Sequence, residues 1–276
     1  MSELSVHLLH ETPALAVRDV LCSGSCRHRS PTEYATATHL AFAYRGVFMR
    51  HVGKSEAVGQ ANQMIFFNSD EEYCISHPVE GGDACLSLRV ADDLLCELAP
   101  AHQLARGSVI RFRQQHRGID SQSQAMAALL RHRLVRGVSE PLESETLAFA
   151  LIKRSLGECP SHASVTRIGC KKIVDRAKLV LAADVSRRWT LAEIGQEVGV
   201  SPVYLTQLFR QVEGVPLYRY HLRLRLSQAL HMLGCYDDLT ALGLDLGFSS
   251  HSHFSAAFRQ AYGQSPLSFQ RSAGLR

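Results

Sequence analysis

Two stretches of this chain are versions of one another, and a duplicated unit restricts the fold more than any other feature of the sequence. Residues 189–214 read WTLAEIGQEVGVSPVYLTQLFRQVEG, and residues 238–263 read DLTALGLDLGFSSHSHFSAAFRQAYG. Both give Leu-x-x-x-Gly, an apolar position and a turn glycine (Gly199, Gly247), then an apolar residue and Ser. An apolar position (Leu205, Phe254), Phe-Arg-Gln (Phe209–Gln211, Phe258–Gln260) and a closing glycine (Gly214, Gly263) complete each copy. Local chemistry makes each copy a helix–turn–helix. Thr190 and Glu193 form a capping box, and Leu191, Ile194 and Val198 share one helical face. Gly199 suits the left-handed end of a helix. Ser201 caps the next helix and Pro202 opens it. In the second copy Leu239, Leu242 and Leu246 make the first face, Gly247 turns, Ser249 or Ser250 caps, and Phe254, Ala257, Phe258 and Ala261 make the second face.

The positions left outside these faces carry the chemistry. They are Pro202, Val203, Thr206, Gln207 and Arg210 in the first copy, and His251, Ser252, Ser255, Ala256 and Arg259 in the second. Gln pairs bidentately with adenine, Ser and Thr bond several bases, and Val touches a thymine methyl. A connector, PLYRYHLRLRLSQALHML (Pro216–Leu233), carries Leu222, Leu226, Ala229 and Leu233 on one stripe. A single helix there holds the two motifs about one turn of B-DNA apart. Arg219, Arg223 and Arg225 lie on or near it as candidate phosphate contacts. The charge is partitioned to match: residues 165–276 hold 14 Lys and Arg against 8 Asp and Glu, a net +6, and residues 1–164 hold 16 against 18, a net −2. His251 and His253 do not form a metal pair on a helix, because i,i+2 side chains point apart.

From about Lys171 to Arg271 the repeat and connector resemble the two-motif DNA-binding domain of the AraC/XylS family of transcription regulators, and GFSSHSHFSAAFRQAYGQSP is similar to the family signature around its second motif. The resemblance implies base contacts at Val203, Thr206, Gln207, His251, Ser252, Ser255 and Ala256, flanked by Arg210 and Arg259. It implies double-stranded DNA and RNA polymerase as partners, transcription activation among the outcomes, and no enzymatic activity. Two departures stand out: Gly195 and Gly243 occupy positions where the family usually has alanine. Mid-helix glycine costs about 0.5–1 kcal/mol relative to alanine, so alanine at either position is expected to stabilise. Ala256 is too short to reach a base edge, so the second motif is expected to read less than the first.

Residues 6–90 lack helical periodicity. Thr38–Val52 reads as two strands joined at Arg45-Gly46, and Asn62–Val90 as three strands with turns at 68–71 and 78–83. Short, evenly spaced strands suggest a small barrel or sandwich. This half resembles the cupin-like sensor domain of many AraC-type regulators, with HPVEGGDAC (His77–Cys85) as a shared phrase. A small organic effector of unknown identity is expected in an apolar pocket lined by Phe42, Tyr44, Phe48, Phe66 and Tyr73, with Arg45 or Arg50 as an anion anchor. Helices follow near Ala91, with apolar stripes (Met126, Leu129, Leu130; Leu147, Leu151, Ile152) that pack on the barrel or form a homodimer surface.

The fold class is therefore α+β: a cupin-like β-barrel with a helical segment over 1–158, a linker over 159–168, and an all-α domain with two helix–turn–helix motifs over 169–276. No signal peptide or membrane-length apolar run is present, which predicts a cytoplasmic protein with no membrane partner. Eight cysteines at irregular spacing are expected as thiols. His39, His51, His77, Cys74 and Cys85 are scattered, and Cys22-x-x-x-Cys26 with His28 is thin, so no metal set and no cofactor are assigned. The alternatives are a metal- or thiol-sensing regulator and a cupin-type metalloenzyme. The chain has no phosphate-cradling glycine loop, Gly-x-Ser-x-Gly or His-Glu-x-x-His.

Overall fold

The computed structural model describes residues 4–24, 27–107, 109–157 and 168–276. Cys26, Cys159 and the expected linker up to residue 167 lie outside the described residues. The N-terminal half contains strands β1 (Leu4–Glu11), β2 (Leu15–Cys22), β3 (Glu33–Tyr34), β4 (His39–Gly46), β5 (Phe48–Val52), β6 (Ser55–Gly59), β7 (Gln63–Phe67), β8 (Glu72–Ser76), β9 (Asp83–Val90), β10 (Leu104–Arg106), β11 (Ile110–Phe112) and β12 (His116–Gly118). The larger sheet has the order β1-β2-β9-β4-β7-β12, the smaller β3-β8-β5-β6, and β10 pairs with β11 alone. Of the expected barrel or sandwich, the described residues form two sheets that are hydrogen-bonded separately and face each other, with no closed barrel among them. β4 and β5 are not a hairpin, because the chain passes from one sheet to the other at Gly46, whose φ is +69°.

The central strands β4, β7 and β9 of the larger sheet are buried on both faces, so they read as near-continuous apolar runs. Leu40, Phe42, Met64, Phe66, Leu86 and Leu88 point to a core shared with helices. Their alternates Ala41, Ala43, Ile65, Phe67 and Cys85 point to the smaller sheet. The helices are α1 (Asp92–Leu98), α2 (Ser121–Arg136) and α3 (Pro141–Leu156). Asp120 caps α2 by accepting from Ser123 N at 2.8 Å, and Gly137 ends it in the left-handed conformation. Leu130, Leu151 and Ile152 are fully buried against the sheet, while Leu129 turns toward the C-terminal helices. Of the two alternatives for these stripes, Leu130, Leu151 and Ile152 take the packing one.

The C-terminal half is helical: α4 (Ile168–Ala183), α5 (Leu191–Val198), α6 (Pro202–Glu213), α7 (Leu217–Met232), α8 (Leu239–Asp245), α9 (His251–Tyr262) and α10 (Pro266–Ser272). Two cores divide α7 between them. Tyr220 and Leu224 pack with α4, α5 and α6. Leu226, Ala229 and Leu230 pack with α8, α9 and α10, and with Ala125 and Ala128 of α2. The halves meet along this seam. Asn62 Nδ2 donates to Tyr220 O at 3.2 Å, His132 Nε2 to Leu230 O at 2.8 Å, and Lys171 Nζ to Glu56 O at 2.8 Å; the Tyr220 hydroxyl accepts from Gln60. Among the described residues no helix is long and apolar enough to cross a membrane.

The two departures from alanine have a steric reason at one position. A Cβ on Gly195 would sit 2.7 Å from the Val200 carbonyl oxygen, and backbone cannot step aside as a side-chain tip can. A Cβ on Gly243 would meet Phe254 Cβ at 3.0 Å. The expected stabilisation is therefore overturned at Gly195: the helix-propensity gain of about 0.5–1 kcal/mol is outweighed by overpacking of about 1–3 kcal/mol. Urea unfolding should show Gly195→Ala destabilised and Gly243→Ala within about 1 kcal/mol of the parent. A Gly195→Ala protein with a raised midpoint would show that the turn at Val200 yields.

Candidate nucleic-acid interface

Each motif is built from capped, amphipathic helices. Thr190 and Glu193 close the capping box: Glu193 N donates to Thr190 Oγ1 at 3.2 Å and Thr190 N to Glu193 Oε2 at 2.7 Å. The Thr190 hydroxyl, donating to Glu193 Oε2 at 2.7 Å, then the Thr190 N–H and the Arg187 guanidinium, hold the Glu193 carboxyl down to about 2. Gly199 ends α5 with φ +77°, and Ser201 caps α6 with Pro202 at its first turn. In the second unit Ser250, not Ser249, is the cap, accepting from His253 N at 3.1 Å. Ser249 instead bonds the His253 ring at 3.0 Å, and that ring packs edge-on against Phe248. Leu205, Phe209, Phe254 and Phe258 are completely buried.

The outward face of α6 presents Val203, Gln207 and Arg210, with Val203 68 % exposed. Thr206 is half-buried, and its hydroxyl donates back to the helix, 2.8 Å from Val203 O and 3.1 Å from Pro202 O. On α9, His251, Ser252, Ala256 and Arg259 are exposed, and half-buried Ser255 Oγ bonds His251 Nε2 at 3.2 Å. The structure thus brings the named residues of each copy onto one face of its second helix. Tyr204, beside Val203, and Tyr218, at the start of α7, are further exposed aromatics.

The three arginines of the connector separate. Arg219 is exposed and Arg223 half-exposed. Arg225 is no phosphate contact: its guanidinium donates to the carbonyls of Val185 at 2.8 Å, Ser186 at 3.0 Å, Arg187 at 2.7 Å and Gly247 at 3.4 Å. Trp189 is a packing anchor, its Nε1 donating to Asp184 O at 2.9 Å under the Arg187 guanidinium.

The N-terminal half holds a second candidate site, a cavity of about 140 Å³ between the two sheets. Phe48 and Tyr73 line it. Phe42, Tyr44 and Phe66 do not, because the two-residue period of β4 and β7 turns them to the helix side. Phe42 and Tyr44 border a water-sized gap of about 20 Å³ beneath α2 and α7. There Tyr44 donates to Asp19 Oδ1 at 2.7 Å, and burial raises its hydroxyl above the ordinary tyrosine range. Arg45 is exposed, while Arg50 is fully buried, paired with Glu71 at 2.6 Å and set over the Phe67 ring. The expected scatter of potential metal ligands is corrected at one end of the cavity. There the donor atoms of Cys22, His77 and Asp83 lie within 4.8 Å of one another.

A family model described as a helix-turn-helix domain matches residues 194–272. The chain is 34% identical over 116 residues to the HTH-type transcriptional regulator ArgR of Pseudomonas aeruginosa, covering 42% of this chain and 32% of that protein. It is 30% identical over 122 residues to the arabinose operon regulatory protein of Salmonella typhimurium, covering 44% and 40%. With the probable transcriptional regulator LumQ of Photobacterium leiognathi it shares 27% over 171 residues, 59% of this chain and 65% of the relative. The chain thus spans between 32% and 65% of the length of these relatives. Among solved structures, an AraC-type DNA-binding regulator from Chromobacterium violaceum is 29% identical, with a TM-score of 0.37, over 39% of this chain and 96% of that one. Residues 194–272 thus carry a helix-turn-helix domain, and over its duplicated, capped motif the chain is similar to transcription regulators of the AraC/XylS type.

Proposed function

We propose that the chain is a sequence-specific DNA-binding transcription regulator that sets α6 and α9 in successive major grooves of one duplex. The observation carrying this reading is that two capped helix–turn–helix units share one connecting helix. Each leaves polar and basic side chains outside a closed core. Val203, Thr206, Gln207 and Arg210 face the first half-site, and His251, Ser252, Ser255, Ala256 and Arg259 the second. Thr206 spends its hydroxyl hydrogen on its own helix, so Gln207 carries the directional base contact. Residues 169–276 form the DNA-binding unit, and 1–158 receive the signal through a small effector in the intersheet cavity. A space near 150 Å³ holds one six-membered ring. Occupancy there reaches the motifs through the seam of α2 with α7 and α9, and through them RNA polymerase.

Selection of binding sites from a random duplex pool with the full chain tests this. An enriched sequence is expected, with affinity falling linearly in log salt. On it, Gln207→Ala should lose about 1–3 kcal/mol and relax preference at one base pair, and Ser255→Ala should lose less. Absence of enrichment, or a Gln207→Ala loss equal on random DNA, would refute the reading.

A further inference from the structure

We infer that the polar end of the intersheet cavity is a zinc site held by Cys22, His77 and Asp83. Cys22 ends β2 and stands directly across the ladder from Asp83, the first residue of β9, so both side chains leave the same face of the sheet. His77 follows the last residue of β8 in the opposite sheet, and its Nε2 lies 2.6 Å from Asp83 Oδ1. A thiol, an imidazole and a carboxylate thus converge from two sheets on one end of the cavity. Cys85 belongs to the same wall, its Sγ 3.5 Å from Asp83 Oδ2.

Three observations favour an ion over a purely structural cluster. His77 and Asp83 are buried, and His77 Nδ1 is enclosed with no hydrogen-bond partner among the described residues. An orphaned buried nitrogen costs stability, so packing alone does not account for a histidine here. The donor set also matches zinc, which takes thiolate, imidazole and carboxylate at about 2.0–2.3 Å in a tetrahedron. That requires donor separations of about 3.4–3.6 Å, within a side-chain rotation of those present. Finally, the backbone is locked around the donors. Cβ atoms on Gly24, Gly46 and Gly82 would sit 2.3 Å from Gly82 Cα, 1.9 Å from Gly82 O and 2.1 Å from Cys22 O. The three strand ends touch at glycines, and Cys22, His77 and Asp83 sit beside that contact. This assigns a role to the phrase HPVEGGDAC: its histidine and aspartate are ligands, and its two glycines fold the second back onto the first. On binding, Zn²⁺ takes the Cys22 sulfur as thiolate and releases the thiol proton to solvent. The fourth coordination position is left to the cavity, as in sites with three protein ligands.

The site goes beyond the DNA-binding reading and is tested without DNA. Full-length protein treated with a chelator is titrated with Co²⁺ and then Zn²⁺. One equivalent of Co²⁺ should produce a thiolate-to-cobalt charge-transfer band that Zn²⁺ removes, and Zn²⁺ but not Mg²⁺ should raise Tm. Cys22→Ser and His77→Gln should weaken Zn²⁺ binding by on the order of 100-fold or more, at least the loss typical of removing a supporting residue. Cys74→Ser and Cys235→Ser, outside the cavity, should titrate as the parent does. Folded parent protein without a saturable band, or Cys22→Ser retaining the full band, would overturn the assignment. The parent titration decides even if a variant fails to fold.

Discussion

Lys178→Ala should destabilise the protein by about 3–5 kcal/mol, the loss that follows when a buried ion pair is broken from one side. Lys178 sits on α4 one position past Ala177, on the edge of the apolar face made by Val174, Ala177 and Leu181. Its side chain is 2 % exposed, with Asp175 Oδ1 at 3.3 Å and Glu213 Oε1 at 2.5 Å. Burial alone would pull the ammonium down, but the Glu213 and Asp175 carboxylates outweigh it and hold its pKa above the ordinary lysine value. Without the ammonium, two carboxylates face each other inside the first motif's core, and Glu213 ends the helix that carries Gln207. The loss is comparable to a third or more of a typical domain's stability. Urea unfolding of Lys178→Met, and of Lys178→Met with Asp175→Asn and Glu213→Gln, separates lost packing from stranded charge. The triple variant should recover most of the loss. A single-variant loss below about 1 kcal/mol, the range of an exposed pair, would refute this account.

The C-terminal half was legible because its determinants are local. Capping boxes, turn glycines and a 3.6-residue apolar period act within a few residues of one another, and Thr190, Gly199, Ser201 and Gly263 do in the structure what their spacing implies. Lys178 and Arg225 were not legible in the same way. Each reads as surface charge until the fold places distant acceptors around it. The face assignment in the larger sheet failed for a different reason. Alternation separates core from solvent only when one face is wet, and β4 and β7 are dry on both. Phe42 and Phe66 therefore carry the same sequence signal as Phe67. The Cys22, His77 and Asp83 cluster is non-local in the same sense. Cys22 and His77 are fifty-five positions apart, and only the register of β2 on β9 sets Cys22 opposite Asp83. Gly195 shows the reverse limit: a propensity scale sees a weak helix residue, whereas the Val200 carbonyl 2.7 Å from its missing Cβ requires one.

Arg225→Ala should lower stability by about 2–4 kcal/mol and, beyond that, uncouple the two motifs. Hydrogen bonds from a charged donor contribute about 1.5–3 kcal/mol each, discounted here because part of the guanidinium faces solvent. Three of its acceptors, Val185, Ser186 and Arg187, precede the first motif, and the fourth, Gly247, is the turn of the second. One planar fork on α7 therefore ties the lead-in of α5 to the joint between α8 and α9. The two segments also touch directly: a Cβ on Gly247 would sit 2.0 Å from Ser186 O. The carbonyl of Val185 accepts a further bond from His221 Nε2 at 2.9 Å, so one anchor survives the substitution. The connector alone fixes the distance between motifs, about 24 Å over its 16 residues. Their relative rotation depends on the fork. Binding to a duplex with both half-sites should weaken more than binding to either half-site alone. Insertion of about five base pairs between half-sites, half a helical turn, should be penalised less in Arg225→Ala than in the parent. Arg225→Lys should behave like the alanine variant in this assay, since a lysine keeps the charge but cannot span four acceptors. Equal losses on one and two half-sites, or rescue by lysine, would refute the coupling role of Arg225.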